Sequence, residues 1–195
     1  MDKKEIRKFF DECAPSWDEH ITTDDSKISC ILDRAGVREN TVVLDVGCGT
    51  GVLFPFYLAR NVSRVTGVDI SPEMIRIASQ KAKDDRIRLI CGDAETLSPS
   101  DMCDCCVIYN AFPHFPNREL LIGSLAKWIK PGGRLTVAHS MSLEQLRKHH
   151  AGRAERVSLE MLLPEELAVC MEPWFCVDTA LSDNEKYIVS GVRRA

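Results

Sequence analysis

The residues of this chain whose spacing could do chemistry are a glycine loop, two carboxylates and a group of histidines. Asp45-Val46-Gly47-Cys48-Gly49-Thr50-Gly51 alternates glycine with other residues directly after an apolar run from Thr41 to Leu44. A turn of that kind at the carboxyl end of a strand offers backbone N–H groups to a ligand. A dinucleotide-binding loop would place a third glycine or an alanine where Val52 stands. The loop therefore suits a ligand laid against the backbone without phosphates. Asp45 would repel a phosphate, but it could accept from a cationic amino-acid group, directly or through water. Asp69, about twenty residues further on, can accept from both hydroxyls of a ribose at once. His114 lies within Asn110-Ala111-Phe112-Pro113-His114-Phe115-Pro116, and an imidazole, whose unperturbed pKa is close to neutral, suits proton removal from a hydroxyl, thiol or amine.

His139, His149 and His150 lie further along the chain. Together with His114 they follow the fourth and fifth predicted strands, where imidazoles could converge on an acceptor or a metal. No H-x-x-x-H or H-E-x-x-H spacing supports a preformed metal site, so no metal is expected. His139 is the second candidate catalytic residue. His149 and His150 are candidate substrate contacts, with a solvated helix end as the alternative.

The elements that must position these groups follow from pattern. Lys3 to Phe10 reads as an amphipathic helix with Ile6, Phe9 and Phe10 on one face. Asp24 or Asp25 caps a helix running to about Ala35, which Gly36 ends. Predicted strands follow near Thr41–Val46, Arg64–Asp69, Arg86–Ile90 and Asp104–Tyr109, with a helix from about Val52 to Arg60 after the glycine loop. Ser71-Pro72-Glu73 carries an N-cap, a proline at the first helical position and an early acid. A helix from Asn117 or Arg118 through Lys130 is expected to stop at Pro131-Gly132-Gly133, with a fifth strand over Arg134–His139. Ser142 caps a further helix, Pro164 starts another, and a terminal hairpin turns at Ser182-Asp183-Asn184-Glu185.

Asp45-Val46-Gly47-Cys48-Gly49-Thr50-Gly51 resembles the cofactor motif of class I S-adenosylmethionine-dependent methyltransferases. Val65-Thr66-Gly67-Val68-Asp69-Ile70-Ser71, Cys91-Gly92-Asp93-Ala94 and Lys130-Pro131-Gly132-Gly133-Arg134-Leu135 resemble later landmarks of the same family, in the right order. The resemblance covers roughly residues 40 to 140. It implies an α/β fold, a Rossmann-like doubly wound seven-stranded sheet in the order 3-2-1-4-5-7-6 with strand 7 antiparallel. It also implies S-adenosyl-L-methionine as cofactor, with Asp45, Gly47, Cys48 and Gly49 around the amino-acid end. Asp69 would hold the ribose, and Ile70 and Met74 would flank the adenosine. Asp93 would accept from the adenine amino group while the Ala94 N–H donates to a ring nitrogen. Asn110 would border the cofactor, and Trp17, in Phe10-Asp11-Glu12-Cys13-Ala14-Pro15-Ser16-Trp17-Asp18, would lie over it. Phe112 and Phe115 would contact the acceptor. Asn110-Ala111-Phe112-Pro113 departs from the pattern of enzymes that methylate planar nitrogen and looks more like the small-molecule branch.

The implied activity is methyl transfer to a small molecule by one domain over 1-195, with 1-36 as a helical lid and 141-172 as an insertion near the acceptor. A protein that binds the cofactor or its demethylated product without transfer, as a sensor or assembly factor, would share these motifs. A nicotinamide oxidoreductase is disfavoured by Val52.

Composition sets outer limits. The chain has 195 residues, 45% of them apolar and 28% charged, with a formal charge of -4. That is enough length for a sizeable core, and the charge gives no general attraction to nucleic acid. No apolar run approaches the roughly 20 residues of a membrane span, and no apolar signal core follows Met1-Asp2-Lys3-Lys4-Glu5. A cytoplasmic monomer or homodimer without nucleic-acid or membrane partners is expected. Nine cysteines is a high, odd count. Cys103-Asp104-Cys105-Cys106 leads into apolar residues, so those thiols read as small hydrophobes of a buried strand.

Overall fold

The structure is a computed structural model that describes residues 1–98, 101–150 and 155–195, without the side chains of His20, His149 and His150. Its centre is a seven-stranded sheet in the order β3-β2-β1-β4-β5-β7-β6. The strands are β1 (Val42–Val46), β2 (Arg64–Asp69), β3 (Ile87–Cys91), β4 (Cys103–Tyr109), β5 (Ile129–His139), β6 (Phe175–Ser182) and β7 (Tyr187–Arg193). The first five pair in parallel, and β7 runs antiparallel to both β5 and β6. The expected order and the reversed last strand are both present.

Both faces of the central strands are covered, which is why their sequences read as near-continuous apolar runs. Strand alternation divides each of them between two cores. Val43 and Val107 pack under helices α2 (Asp25–Arg34) and α3 (Phe54–Ala59). Leu44, Val46, Cys106 and Ile108 pack under α5 (Arg118–Trp128) and α7 (Pro164–Met171). Cys103, Cys105 and Cys106 are at most 3% exposed, and burial pushes the first two thiols up to about 12. They are packing residues of β4.

Local signals set most element ends. Asp24 Oδ1 accepts from the Lys27 N–H at 3.0 Å to start α2. Ser71 Oγ accepts from the Met74 N–H at 3.1 Å to start α4 (Pro72–Lys81). Ser142 Oγ accepts from the Gln145 N–H at 3.2 Å at the head of α6 (Leu143–His150).

Two boundaries differ from expectation. Helix α5 ends at Trp128 rather than Lys130, and β5 begins at Ile129 and runs through Pro131-Gly132-Gly133. A register shift opposite Cys103 and Cys105 absorbs those residues, with Gly132 at φ +79. The helix expected from Val52 is shorter, because the turn continues until Phe54.

Helix α1 (Lys3–Cys13) and a 3-10 helix (Ala14–His20) precede this body. Ile6 and Phe9 of α1 pack with Val157, which lies between α6 and α7.

Candidate functional site

A sheet whose strand order reverses beside β1 leaves a crevice at the carboxyl ends of β1 and β4. A cavity of about 160 Å³ lies there, bordered by the turns after β1, β2, β3 and β4 and by the N-terminal segment.

The turn after β1 is built from glycines at φ +71, +54 and +85, at Gly47, Gly49 and Gly51. A Cβ on Gly47 would stand 2.6 Å from the Ala111 Cβ, so this glycine lets the β1 and β4 turns touch. A Cβ on Gly51 would stand 2.4 Å from the Phe54 ring, which closes the loop from the other side. The Gly49 N–H donates to Asp69 Oδ2 at 2.9 Å, and the Ser71 N–H donates to Asp69 Oδ1, also at 2.9 Å. Burial raises the Asp69 carboxyl above its usual range, against the pull of those two amides.

Gly47, Cys48, Gly49, Asp69, Ile70, Met74, Asp93, Ala94, Asn110 and Trp17 all line the cavity, as do His114 and Phe115. Trp17 lies edge-on to Phe10, with ring centres 5.8 Å apart. Asn110 adopts a left-handed conformation, φ +54, and its Oδ1 accepts from the Ser140 N–H at 2.9 Å. That contact ties the ends of β4 and β5 together. His114 Nδ1 is 2.9 Å from the Val157 carbonyl oxygen and 3.2 Å from Ser158 Oγ. Its ring meets Phe10 edge-on at 4.9 Å.

Three expected site residues are placed elsewhere. Phe112 is fully buried in the main core under the Arg118 guanidinium, and strand-end geometry leaves Phe115, not Phe112, on the cavity. His139 is 2% exposed and does not line the cavity. It lies opposite Tyr187 in the β5–β7 register, and the two rings pack edge-on at 6.2 Å. Asp45 is 2% exposed at the end of β1 and is not among the residues that line the cavity. Burial, and then the charge of Asp69, push its carboxyl up to about 8. His149 and His150 end α6, and the convergence expected of their side chains lies outside the described residues.

The sequence reading missed Lys3, Thr50, Tyr109 and the Ile21-Thr22-Thr23 stretch, all of which line the cavity. Only the aromatic and acidic residues of the N-terminal segment gave any signal.

The cavity lining fits S-adenosylmethionine. The Gly47 and Cys48 N–H groups donate to the Val68 carbonyl at 2.8 and 3.1 Å and that of Gly49 to Asp69, so these expected backbone donors are engaged within the fold, and the turn gives a ligand close approach to the backbone instead. The half-buried Asp69 stands beside it at the end of β2, and a second acid, Asp93, borders the turn after β3. Residues 43–133 match the family profile described as methyltransferase domain. A malonyl-[acyl-carrier protein] O-methyltransferase of Priestia megaterium is 30% identical over 139 residues, 69% of this chain and 51% of that protein. The chain thus spans about half the length of that relative. Among solved structures, the DhpI complex with S-adenosylhomocysteine matches with a TM-score of 0.75 at 20% identity, over 98% of this chain and 97% of the other. The [4+2]-cyclase SpnF matches with a TM-score of 0.79 at 16% identity, over 99% and 96%. The fold and the matched domain are those of the class I S-adenosylmethionine-dependent methyltransferases, and the chain belongs with them.

Proposed function

We propose that the protein transfers the methyl group of S-adenosylmethionine to a small-molecule acceptor. The observation that carries this reading is the continuity of one cavity from the Gly47–Gly51 turn to His114 and Phe115. Residues that fit a cofactor and residues that fit an acceptor border the same space.

The cofactor brings a methyl group already attached to a good leaving group. The protein's part is then to hold an acceptor atom about 3–3.5 Å away and in line. In this reading Asp69 grips the ribose, Asp93 and Ala94 receive the adenine, and the Gly47–Gly49 backbone receives the amino-acid end. Phe10, Trp17 and Phe115 exclude water. The Val157 carbonyl can only accept a hydrogen bond, so Nδ1 of a neutral His114 carries the proton. Nε2 is then the basic nitrogen, suited to take a proton from an acceptor hydroxyl, thiol or amine. The segments read as a lid over 1-36 and an insertion over 141-172 are the additions to the matched domain, and additions of that size favour a small acceptor. The relative from Priestia megaterium, an O-methyltransferase by name, favours oxygen as the acceptor atom.

A second reading is binding of the cofactor without methyl transfer, since the fold is also that of a protein named as a [4+2]-cyclase and is therefore compatible with chemistry other than methyl transfer. Incubation with S-adenosylmethionine labelled in the methyl group, against a panel of phenols, carboxylic acids, amines and thiols, separates the two. Label transferred to one class supports methyl transfer. Tight binding of S-adenosylhomocysteine with no transfer to any class supports the second reading.

A further inference from the structure

Besides the Asp18–Lys81 ion pair, the N-terminal segment is fastened to the body on three loops that border the cavity. Asp18 Oδ1 accepts from Thr50 Oγ1 at 2.5 Å, and Asp11 Oδ1 accepts from Ser71 Oγ at 2.6 Å. Lys3 Nζ lies 2.6 Å from Asp93 Oδ2 and 2.5 Å from Glu95 Oε2. Lys3 is also the one lysine or arginine among the described residues that line the cavity.

Its two partners are not equivalent. The Glu95 side chain is fully buried, and its oxygens accept from the Asn117 N–H at 3.1 Å and from Asn117 Nδ2 at 2.9 Å. A buried carboxylate beside a second acid needs a counter-charge, and Lys3 supplies it. Asp93 faces the cavity, with Oδ1 accepting from the Glu95 N–H at 3.0 Å and Oδ2 accepting from Lys3. Both oxygens are thereby fixed in direction, and each keeps a second lone pair.

We propose that Lys3 is a positioning residue of the cofactor site, orienting the Asp93 carboxylate to accept from the exocyclic amino group of the adenine. The proposal rests on the reading of Asp93 as the adenine acceptor. It makes docking of α1 part of base recognition, because the ammonium arrives only with that helix. Burial opposes the charge on Lys3, but the hydrogen bonds to Asp93 and Glu95 outweigh it and hold the ammonium above its usual range. The group therefore stays charged throughout the neutral range.

The test compares S-adenosylhomocysteine with S-inosylhomocysteine, which carries an oxo group in place of the amino group, by calorimetry on the full chain. The native protein should prefer the adenosyl ligand. Lys3→Met should weaken that ligand about tenfold and the inosyl ligand less than about twofold, and Lys3→Arg should restore most of the loss. Equal losses for both ligands would mean that Lys3 only fastens the helix, and would overturn the proposal. Tighter adenosyl binding in Lys3→Met would overturn it too, by showing competition between ammonium and base. No preference in the native protein would instead remove the Asp93 reading on which it stands. Lys3→Met leaves Glu95 buried without its cation, so Lys3→Met with Glu95→Gln, which removes both charges, carries the same comparison should the single variant not fold.

Discussion

The Gly49 N–H donates to Asp69 Oδ2 at 2.9 Å, joining the turn after β1 to the end of β2. The acid read as the ribose acceptor therefore also holds the glycine turn in shape. Asp69→Ala removes an acceptor from two backbone amides and from the ligand together. Binding of S-adenosylhomocysteine should weaken by about a hundredfold or more, since hydrogen bonds to charged groups contribute about 1.5–3 kcal/mol each. Asp69→Asn keeps one acceptor oxygen and should lie between. Calorimetric titration checks both, and undiminished binding in Asp69→Ala would remove the ribose assignment.

Gly47 couples the two turns that bracket the site. Its φ of +71 and the 2.6 Å approach of an added Cβ to the Ala111 Cβ leave no room for a side chain. Gly47→Ala should lose about 2–4 kcal/mol of stability from strain and overpacking combined. It should also displace the 110–116 turn and weaken cofactor binding. Denaturant unfolding measures the first effect and calorimetry the second. A loss under about 0.5 kcal/mol would mean that the contact relaxes freely.

How much of this was legible in the sequence depends on the range of the signal. Strand β2 and the Ser71 cap were readable because each depends on neighbours within four residues. Pro131-Gly132-Gly133 misled, since a β-bulge and a helix stop use the same residues. Phe112 and Phe115 flank one turn, and only the tertiary course of that turn decides which of them reaches the core. His139 was placed at the correct strand end, but strand alternation turned it toward Tyr187. Lys3 was invisible, because its partners lie ninety residues away and no periodicity reports an ion pair of that span.

His114 carries the acceptor half of the reading. His114→Ala should reduce methyl transfer by about 10²-fold or more when the acceptor must lose a proton, the lower range for general-base catalysis. S-adenosylhomocysteine affinity should change far less. For the native protein the rate should rise with pH as the imidazole loses its proton, and this limb should vanish in His114→Ala. Retention of the limb would assign the base elsewhere.

Asp45 makes the sharpest claim about pH. Burial and the neighbouring Asp69 push its carboxyl up to about 8, and Tyr57, Cys48 and Cys106 around it are themselves held protonated. An acid whose pKa is raised on folding keeps a proton that the unfolded chain has already released. The native state then binds more protons than the unfolded state between about pH 4 and pH 8, so stability falls as pH rises through that window. The slope from this group alone reaches about 1.4 kcal/mol per pH unit. Asp45→Asn cannot titrate, and its unfolding free energy should lack this slope. A cationic ligand beside the pair should favour the charged carboxylate and expel the proton. Binding of S-adenosylmethionine at pH 7 should therefore release protons, seen as a dependence of the calorimetric enthalpy on the buffer's ionisation heat, and the release should shrink in Asp45→Asn. Parallel pH profiles for the native protein and Asp45→Asn would mean that the carboxyl is already ionised in the fold.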